Sequence, residues 1–155
     1  MPVPHNERYF EDYRAGDSIE FGDYLITAEE IVEFGSRYDP QSFHVDARAA
    51  ARGPFGGLIA SGFLTLGAMM RMLTEHFISP VASMGSPGLD EVRWLVPVRP
   101  DDRLRVRATI LESRRSQSKP DRGVIHVLYE VVNQDNQLAM TVKGWGMYRC
   151  RASAA

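Results

Sequence analysis

The order of hydrophobic patterns along the chain predicts an α+β fold, and three observations carry that expectation. Apolar spacing is helical between residues 27 and 77 and becomes strictly alternating after residue 91. The longest helical stretch, residues 62–77, is apolar around most of its circumference, as a helix inside a core must be. The alternating stretches follow one another across short turns, as antiparallel strands do. Helices segregated from a late run of strands make α+β, and one antiparallel sheet curling round one long central helix satisfies the order.

The elements follow in sequence. Residues 1–17 read as an N-terminal arm that Tyr9, Phe10 and Tyr13 pin down, with a turn at Ala15-Gly16-Asp17. Residues 18–26 read as a strand interrupted at Gly22-Asp23. Thr27-Ala28-Glu29-Glu30 is a capping box: the Thr27 hydroxyl accepts from the Glu30 N–H, and Glu30 reaches back. The helix it opens has Ile31, Phe34, Gly35 and Tyr38 on one face, and Pro40 forbids its continuation. Asp46 caps a short helix over 47–50, and Gly53-Pro54-Phe55-Gly56-Gly57 is a loop. In the long helix, Gly67 costs roughly 1 kcal/mol against Ala, which predicts a close neighbour there. Its methionines read as core packing.

Residues 78–88 are a Ser/Pro/Gly loop. Val92, Trp94, Val96 and Val98 then alternate with Glu91, Arg93, Leu95 and Pro97, and Leu104, Val106, Ala108 and Ile110 with Arg103, Arg105, Arg107 and Thr109. Both read as strands joined at Arg99-Pro100-Asp101-Asp102. A polar hairpin loop over 113–122 leads to strands over 124–132 and 138–148, so four strands are expected in antiparallel succession.

With 155 residues, 44% of them hydrophobic and 25% charged, the chain is expected to be one domain over 1–155 with a substantial core. A net charge of −2 argues against a nucleic-acid partner. No apolar run is long enough to span a bilayer, and residues 1–7 lack a signal-peptide pattern, so a cytoplasmic protein is expected. The single cysteine, Cys150, excludes an intrachain disulfide and has no evident activating base. No spacing suggests a metal site and no glycine-rich phosphate loop is present.

The chemistry concentrates in Tyr38-Asp39-Pro40-Gln41-Ser42-Phe43-His44-Val45-Asp46 and in Ile59-Ala60-Ser61-Gly62-Phe63. Singly, Asp39 is a turn former before proline and His44 an ordinary structural histidine. Together they place an acid and an imidazole near a forced helix exit, with Phe43 and Val45 beside the ring, surroundings that tune a pKa. On these residues alone, catalysis and structure both stay open. Ser61 reads as an N-cap. Gly62, at the first helical position, leaves free N–H groups and the positive end of a helix dipole open to an approaching oxygen. His126 reads as structural and His76 as a partner of the helix C-terminus. Arg103, Arg105 and Arg107 are either a solvated face or a contact for a ligand's phosphates.

Asp39-Pro40-Gln41-Ser42-Phe43-His44-Val45-Asp46, followed by Gly57-Leu58-Ile59-Ala60-Ser61-Gly62, resembles the MaoC-like dehydratase family, the (R)-specific enoyl-CoA hydratases of hot dog fold. The family pattern is Asp-x-Asn-Pro-x-His and then a glycine opening the central helix, often preceded by histidine. Gln41, Ser42 and Ser61 depart from it. Residues 92–102 look like the family's strand and turn after that helix, and the resemblance covers about residues 8–150. It implies a hot dog fold, a homodimer or dimer of dimers with shared active sites, and an acyl-CoA or acyl-carrier thioester as substrate. Coenzyme A would enter only as part of the substrate, with no separate cofactor. Asp39 and His44 take the places of the acid/base pair and Gly62 that of the backbone oxyanion donor, with Gln41, Phe43, Ser61 and Phe63 expected to meet substrate. The implied reaction is reversible hydration of a 2-enoyl thioester to a (3R)-3-hydroxyacyl thioester. A thioesterase of the same fold and a non-catalytic acyl-thioester-binding module are the alternatives.

Overall fold

The computed structural model describes residues 1–152; the last three residues of the expected domain, 153–155, lie outside the described residues. Five strands, β1 (Ser18–Leu25), β2 (Leu89–Trp94), β3 (Arg103–Arg115), β4 (Arg122–Val132) and β5 (Leu138–Arg149), form one antiparallel sheet in the order β1-β3-β4-β5-β2. Four helices lie between β1 and β2: α1 (Ala28–Tyr38), α2 (Ser42–Val45), α3 (Ala47–Arg52) and α4 (Gly62–His76). The α+β reading holds, with α4 as the helix the sheet wraps.

The alternation in β3 and β4 sends Val106, Ala108, Ile110, Ile125, Val127 and Val131 inward, all essentially without exposed surface. Leu64, Ala68, Met69, Met72 and Leu73 of α4 join them in one core. Each large apolar side chain buried there contributes roughly 1.5–3 kcal/mol. The arm packs down as expected: the Tyr13 hydroxyl donates to the Phe77 carbonyl at 2.8 Å and accepts from the Ser79 N–H at 3.1 Å.

Several expectations need correction. β2 does not pair with β3 but with β5, on the opposite edge of the sheet, so only β3, β4 and β5 run in succession. It ends at Trp94, because Pro97 and Pro100 have no N–H for a ladder. The 99–102 turn then docks on the end of β1, with Asp101 N–H on the Ile26 carbonyl and Ile26 N–H on that of Asp102. The hairpin loop between β3 and β4 is shorter than expected, 116–121. Helix α4 is not buried all round: Phe63 is 63% and Met70 47% exposed. Gly67 lies on this open face with nothing within 4 Å of the place its Cβ would take, so the close neighbour expected there is absent among the described residues. At α1, Thr27 accepts from Glu30 N–H at 3.1 Å, but the Glu30 carboxylate accepts from the Tyr24 hydroxyl at 2.5 Å instead of reaching back. Tyr38 points to solvent, away from the buried face made by Ile31 and Gly35.

The piece of fold that places the site is the packing of α2 on α1. A Cβ on Gly35 would stand 2.9 Å from the Cβ of His44 and 3.1 Å from a methyl of Val45. The absence of a side chain lets α2 return over the end of α1. Gly35→Ala gains helix propensity of about 1 kcal/mol, but the clash involves the root of a side chain and must move α2. The expected outcome is a net destabilisation of about 1–2 kcal/mol in urea unfolding, with His44 displaced. A variant as stable as the parent would contradict this account.

Candidate active site

Asp39 is the C-cap of α1, at φ −152° and ψ 70°, a conformation outside the helix that Pro40 imposes. Three residues on, α2 begins, and its third residue is His44. The His44 Nε2 lies 3.2 Å from Asp39 Oδ2, with the histidine side chain 5% and the aspartate 22% exposed. The other ring nitrogen, Nδ1, is 2.6 Å from the carbonyl oxygen of Ile59. A carbonyl can only accept, so Nδ1–H donates and Nε2 is the nitrogen left to exchange a proton beside Asp39.

The carboxylate is held from two further sides. Gln41 Nε2 donates to Oδ1 at 2.8 Å and the Ser61 hydroxyl to Oδ2 at 2.8 Å. These donors, Gln41 foremost, outweigh partial burial and, with His44, hold the Asp39 carboxyl below the usual carboxylate range. Asp39 is therefore an ionised group aimed at an imidazole nitrogen.

Gly62 opens α4 next to this pair. Its N–H takes no acceptor among the described residues, as expected for a first helical residue. The Trp94 indole lies across Gly62: its Nε1 donates to the Gly62 carbonyl at 3.0 Å, and its ring occupies the place a Cβ on residue 62 would need. Glycine is required there by packing.

These groups face a cavity of about 440 Å³. Asp39, Gln41, His44, Gly62 and Phe63 line it, which brings five of the seven expected site residues together. Ser61 and Phe43 are not on its wall. Ser61 is fully buried behind Asp39. Phe43 supports His44, its ring edge-on to the imidazole at 4.6 Å and to Phe55 at 5.2 Å.

Residues 12–134 match the family model described as MaoC like domain. The chain belongs to the MaoC-like domain family. A solved MaoC-like dehydratase from Rhodospirillum rubrum superposes with a TM-score of 0.87 at 31% identity, over 94% of this chain and 99% of that one. The unliganded R-hydratase PhaJ1 of Pseudomonas aeruginosa shares the fold at a TM-score of 0.74 and 20% identity, over 95% of this chain and 91% of that one. The 3-hydroxyacyl-thioester dehydratase Z of Mycobacterium tuberculosis is 35% identical over 100 residues, 63% of this chain and 66% of that protein. The hot dog fold expected from the resemblance is the fold of this chain.

In this MaoC-like domain, part of the cavity wall was not legible as a site. Trp94 sits in an alternating strand and reads as core, yet it is 48% exposed over Gly62. Phe55 carried a signal, an aromatic ring within a glycine-rich loop. The arginines of β3 are committed to the fold: Arg103 pairs with Asp23, Arg107 with Glu130 and Glu20, and Arg105 donates to the Asn133 carbonyl and to Asn136. They form a solvated, internally paired face. His126 has an acid after all, Asp90 from β2, with Oδ2 3.0 Å from its Nε2, and it stacks on Trp145 at 4.3 Å. Burial pushes the Cys150 thiol up, which keeps it unreactive.

The Gln41 amide can be tested directly. Replacing it by leucine removes a donor to the charged form of Asp39, so the carboxyl pKa must rise toward the ordinary value. A ¹³C NMR titration of the Asp39 carboxyl is expected to move upward in Gln41→Leu; an unmoved curve would show that water replaces the amide fully.

Proposed function

We propose that this protein catalyses the reversible hydration of a 2-enoyl thioester to a (3R)-3-hydroxyacyl thioester. The observation that carries the reading is the Asp39–His44 contact of 3.2 Å at the wall of a cavity that is also lined by Gly62, whose N–H has no acceptor among the described residues. The dehydratase and hydratase names of its relatives support the same reaction class.

The thioester carbonyl oxygen takes the Gly62 N–H, whose place at the head of α4 adds the favourable end of the helix dipole. A water sits in the cavity within reach of both Asp39 and His44. Asp39, held ionised, takes a proton from that water as its oxygen attacks the β-carbon. A protonated His44 Nε2 delivers a proton to the α-carbon as the enolate collapses. Asp39 then holds the water's proton and His44 has lost one, and the short Oδ2–Nε2 distance lets the proton pass back. The thioester itself acidifies the α-carbon, so the reading calls for no cofactor beyond the coenzyme A or carrier of the substrate. The close Asp39–His44 pair favours hydration over thioester hydrolysis, in which attack falls on the carbonyl carbon.

A second groove, of about 560 Å³, runs along the open face of α4 and shares Phe63 with the first. Its lining of Leu66, Met69, Met70, Leu73 and Leu89 suits the apolar tail of an acyl chain. Exposed Phe63, Met70, Leu89, Trp94 and Leu95 also make a face that a second copy would cover, and a homodimer or dimer of dimers in the cytoplasm belongs to this reading. No described helix is long and apolar enough to cross a membrane.

Crotonyl-CoA tests the reaction: enoyl absorbance is expected to fall without release of free thiol. Thiol release would mean a thioesterase, and neither signal across a panel of enoyl thioesters would leave the binding module. Asp39→Asn and His44→Ala should each lower kcat by about 10²–10⁴-fold, and the double variant should lose little more, because the two serve one water.

The oxyanion role of Gly62 needs a different design. Alanine and proline at 62 both place a Cβ in the Trp94 ring, so neither isolates the amide in the native background. In Trp94→Ala the obstruction is gone. There Gly62→Pro, without the N–H, should be roughly 10²-fold slower than Gly62→Ala, which keeps it. Equal rates for the two would remove the amide from the mechanism.

A further inference from the structure

We propose that Ser61 is a positioning residue for Asp39, a buried hydroxyl that fixes the carboxylate against His44 and ties it to the start of α4. The kinetic half of this inference rests on the hydratase reading; the structural half does not.

Ser61 has no exposed surface and does not reach the cavity. Its hydroxyl donates at 2.8 Å to Asp39 Oδ2, the same oxygen that faces His44 Nε2. A hydroxyl has one proton to give. With that proton on Asp39, its lone pairs accept the Phe63 N–H at 3.3 Å. The direction of the chain is thereby set: Phe63 N–H to Ser61 Oγ–H to Asp39 Oδ2. The capping bond is the long one and the carboxylate bond the short one, so capping is the lesser part of what this hydroxyl does.

The backbone around Ser61 cannot drift. Ile59 N–H is bound to the Phe43 carbonyl at 3.0 Å and Ala60 N–H to the Val98 carbonyl at 2.8 Å. The Ile59 carbonyl holds His44 in turn. Three consecutive residues therefore grip both members of the pair, His44 through Ile59 and Asp39 through Ser61. Gln41 also donates to Asp39, but it is exposed, and water can replace its amide. At Ser61 no solvent is at hand, so its loss leaves the oxygen beside His44 short of a donor.

The experiment compares wild type, Ser61→Ala and Ser61→Thr by ¹³C titration of the Asp39 carboxyl and by kcat and KM against pH on a panel of enoyl-CoA thioesters that includes crotonyl-CoA. A donor lost from the charged form raises the Asp39 pKa. In Ser61→Ala the carboxyl should titrate at higher pH than in wild type, by more than in Gln41→Leu, and the acid limb of kcat should move up with it. At the plateau, kcat should fall roughly ten- to a hundredfold, the loss expected for one hydrogen bond to a charged group. KM should stay within about twofold, because Ser61 does not touch substrate. Ser61→Thr keeps the hydroxyl and should return both curves toward wild type. An unmoved Asp39 titration in Ser61→Ala overturns the proposal. So does a raised KM at unchanged kcat, which would make Ser61 a substrate contact, and so does a lowered Tm with unchanged kinetics, which would make it a helix cap alone. If Ser61→Ala does not fold, Ser61→Cys, with a poor donor of similar shape, takes its place in the same measurements. A wild type that hydrates none of the panel sinks the hydratase reading, and the NMR titration still decides the role of Ser61.

Discussion

Helix α1 has to stop at Tyr38, and the rest of the site depends on that stop. Pro40 cannot donate a backbone hydrogen bond, and it denies Asp39 the helical conformation. Asp39 therefore leaves the axis of α1, and the chain turns at once into α2. Gly35 provides the room for α2 to fold back, so His44, only five residues later, arrives beside the carboxylate it follows. The contact is made by local backbone geometry. It needs no long-range registration between strands, and a shift in the sheet would not break it.

What the local geometry cannot supply is orientation, and that comes from the stretch before α4. Residues 59–61 run through a buried place with no ladder of their own, where each polar backbone group must find a partner. They find them on Phe43, His44 and Val98, and the same bonds align the imidazole, the carboxylate and the head of α4. The solution to a backbone satisfaction problem is thus also the geometry of the site. It explains why the polar atoms of the pair are confined by donors and acceptors on three sides and open only toward the cavity.

The legible parts of the sequence were those in which one residue type has one physical consequence. Proline at 40, Asp46 as a cap and the alternation of β3, β4 and β5 all led to elements where they were expected. The placement of β2 was not legible, because alternation says which face a residue takes and is silent on which neighbour the strand chooses. Pro97 and Pro100 were the available sign that the ladder ends before the turn. Trp94 was missed for a related reason. It alternates like a core residue, but it stands at the last position of an edge strand, where the inward face gives onto α4's first turn and not onto the core. Ser61 was legible as a cap; the direction of its hydroxyl proton was not, since that depends on a carboxylate twenty-two residues away.

The uncovered face of α4 is the other half of this misreading. A helix apolar nearly all round must hide its whole circumference, and this one hides most of it under the sheet while Phe63 and Met70 stay outside. β2 is held by β5 on one side only, yet it carries the ring that lies over Gly62. Part of the wall of the site thus rests on an edge strand, beside the open apolar face of α4. A second copy laid on that face would bury Phe63, Trp94 and Leu95 together and hold the edge strand from outside. In that arrangement the apolar surplus of α4 would be covered and β2 braced, so assembly would help the cavity keep its shape.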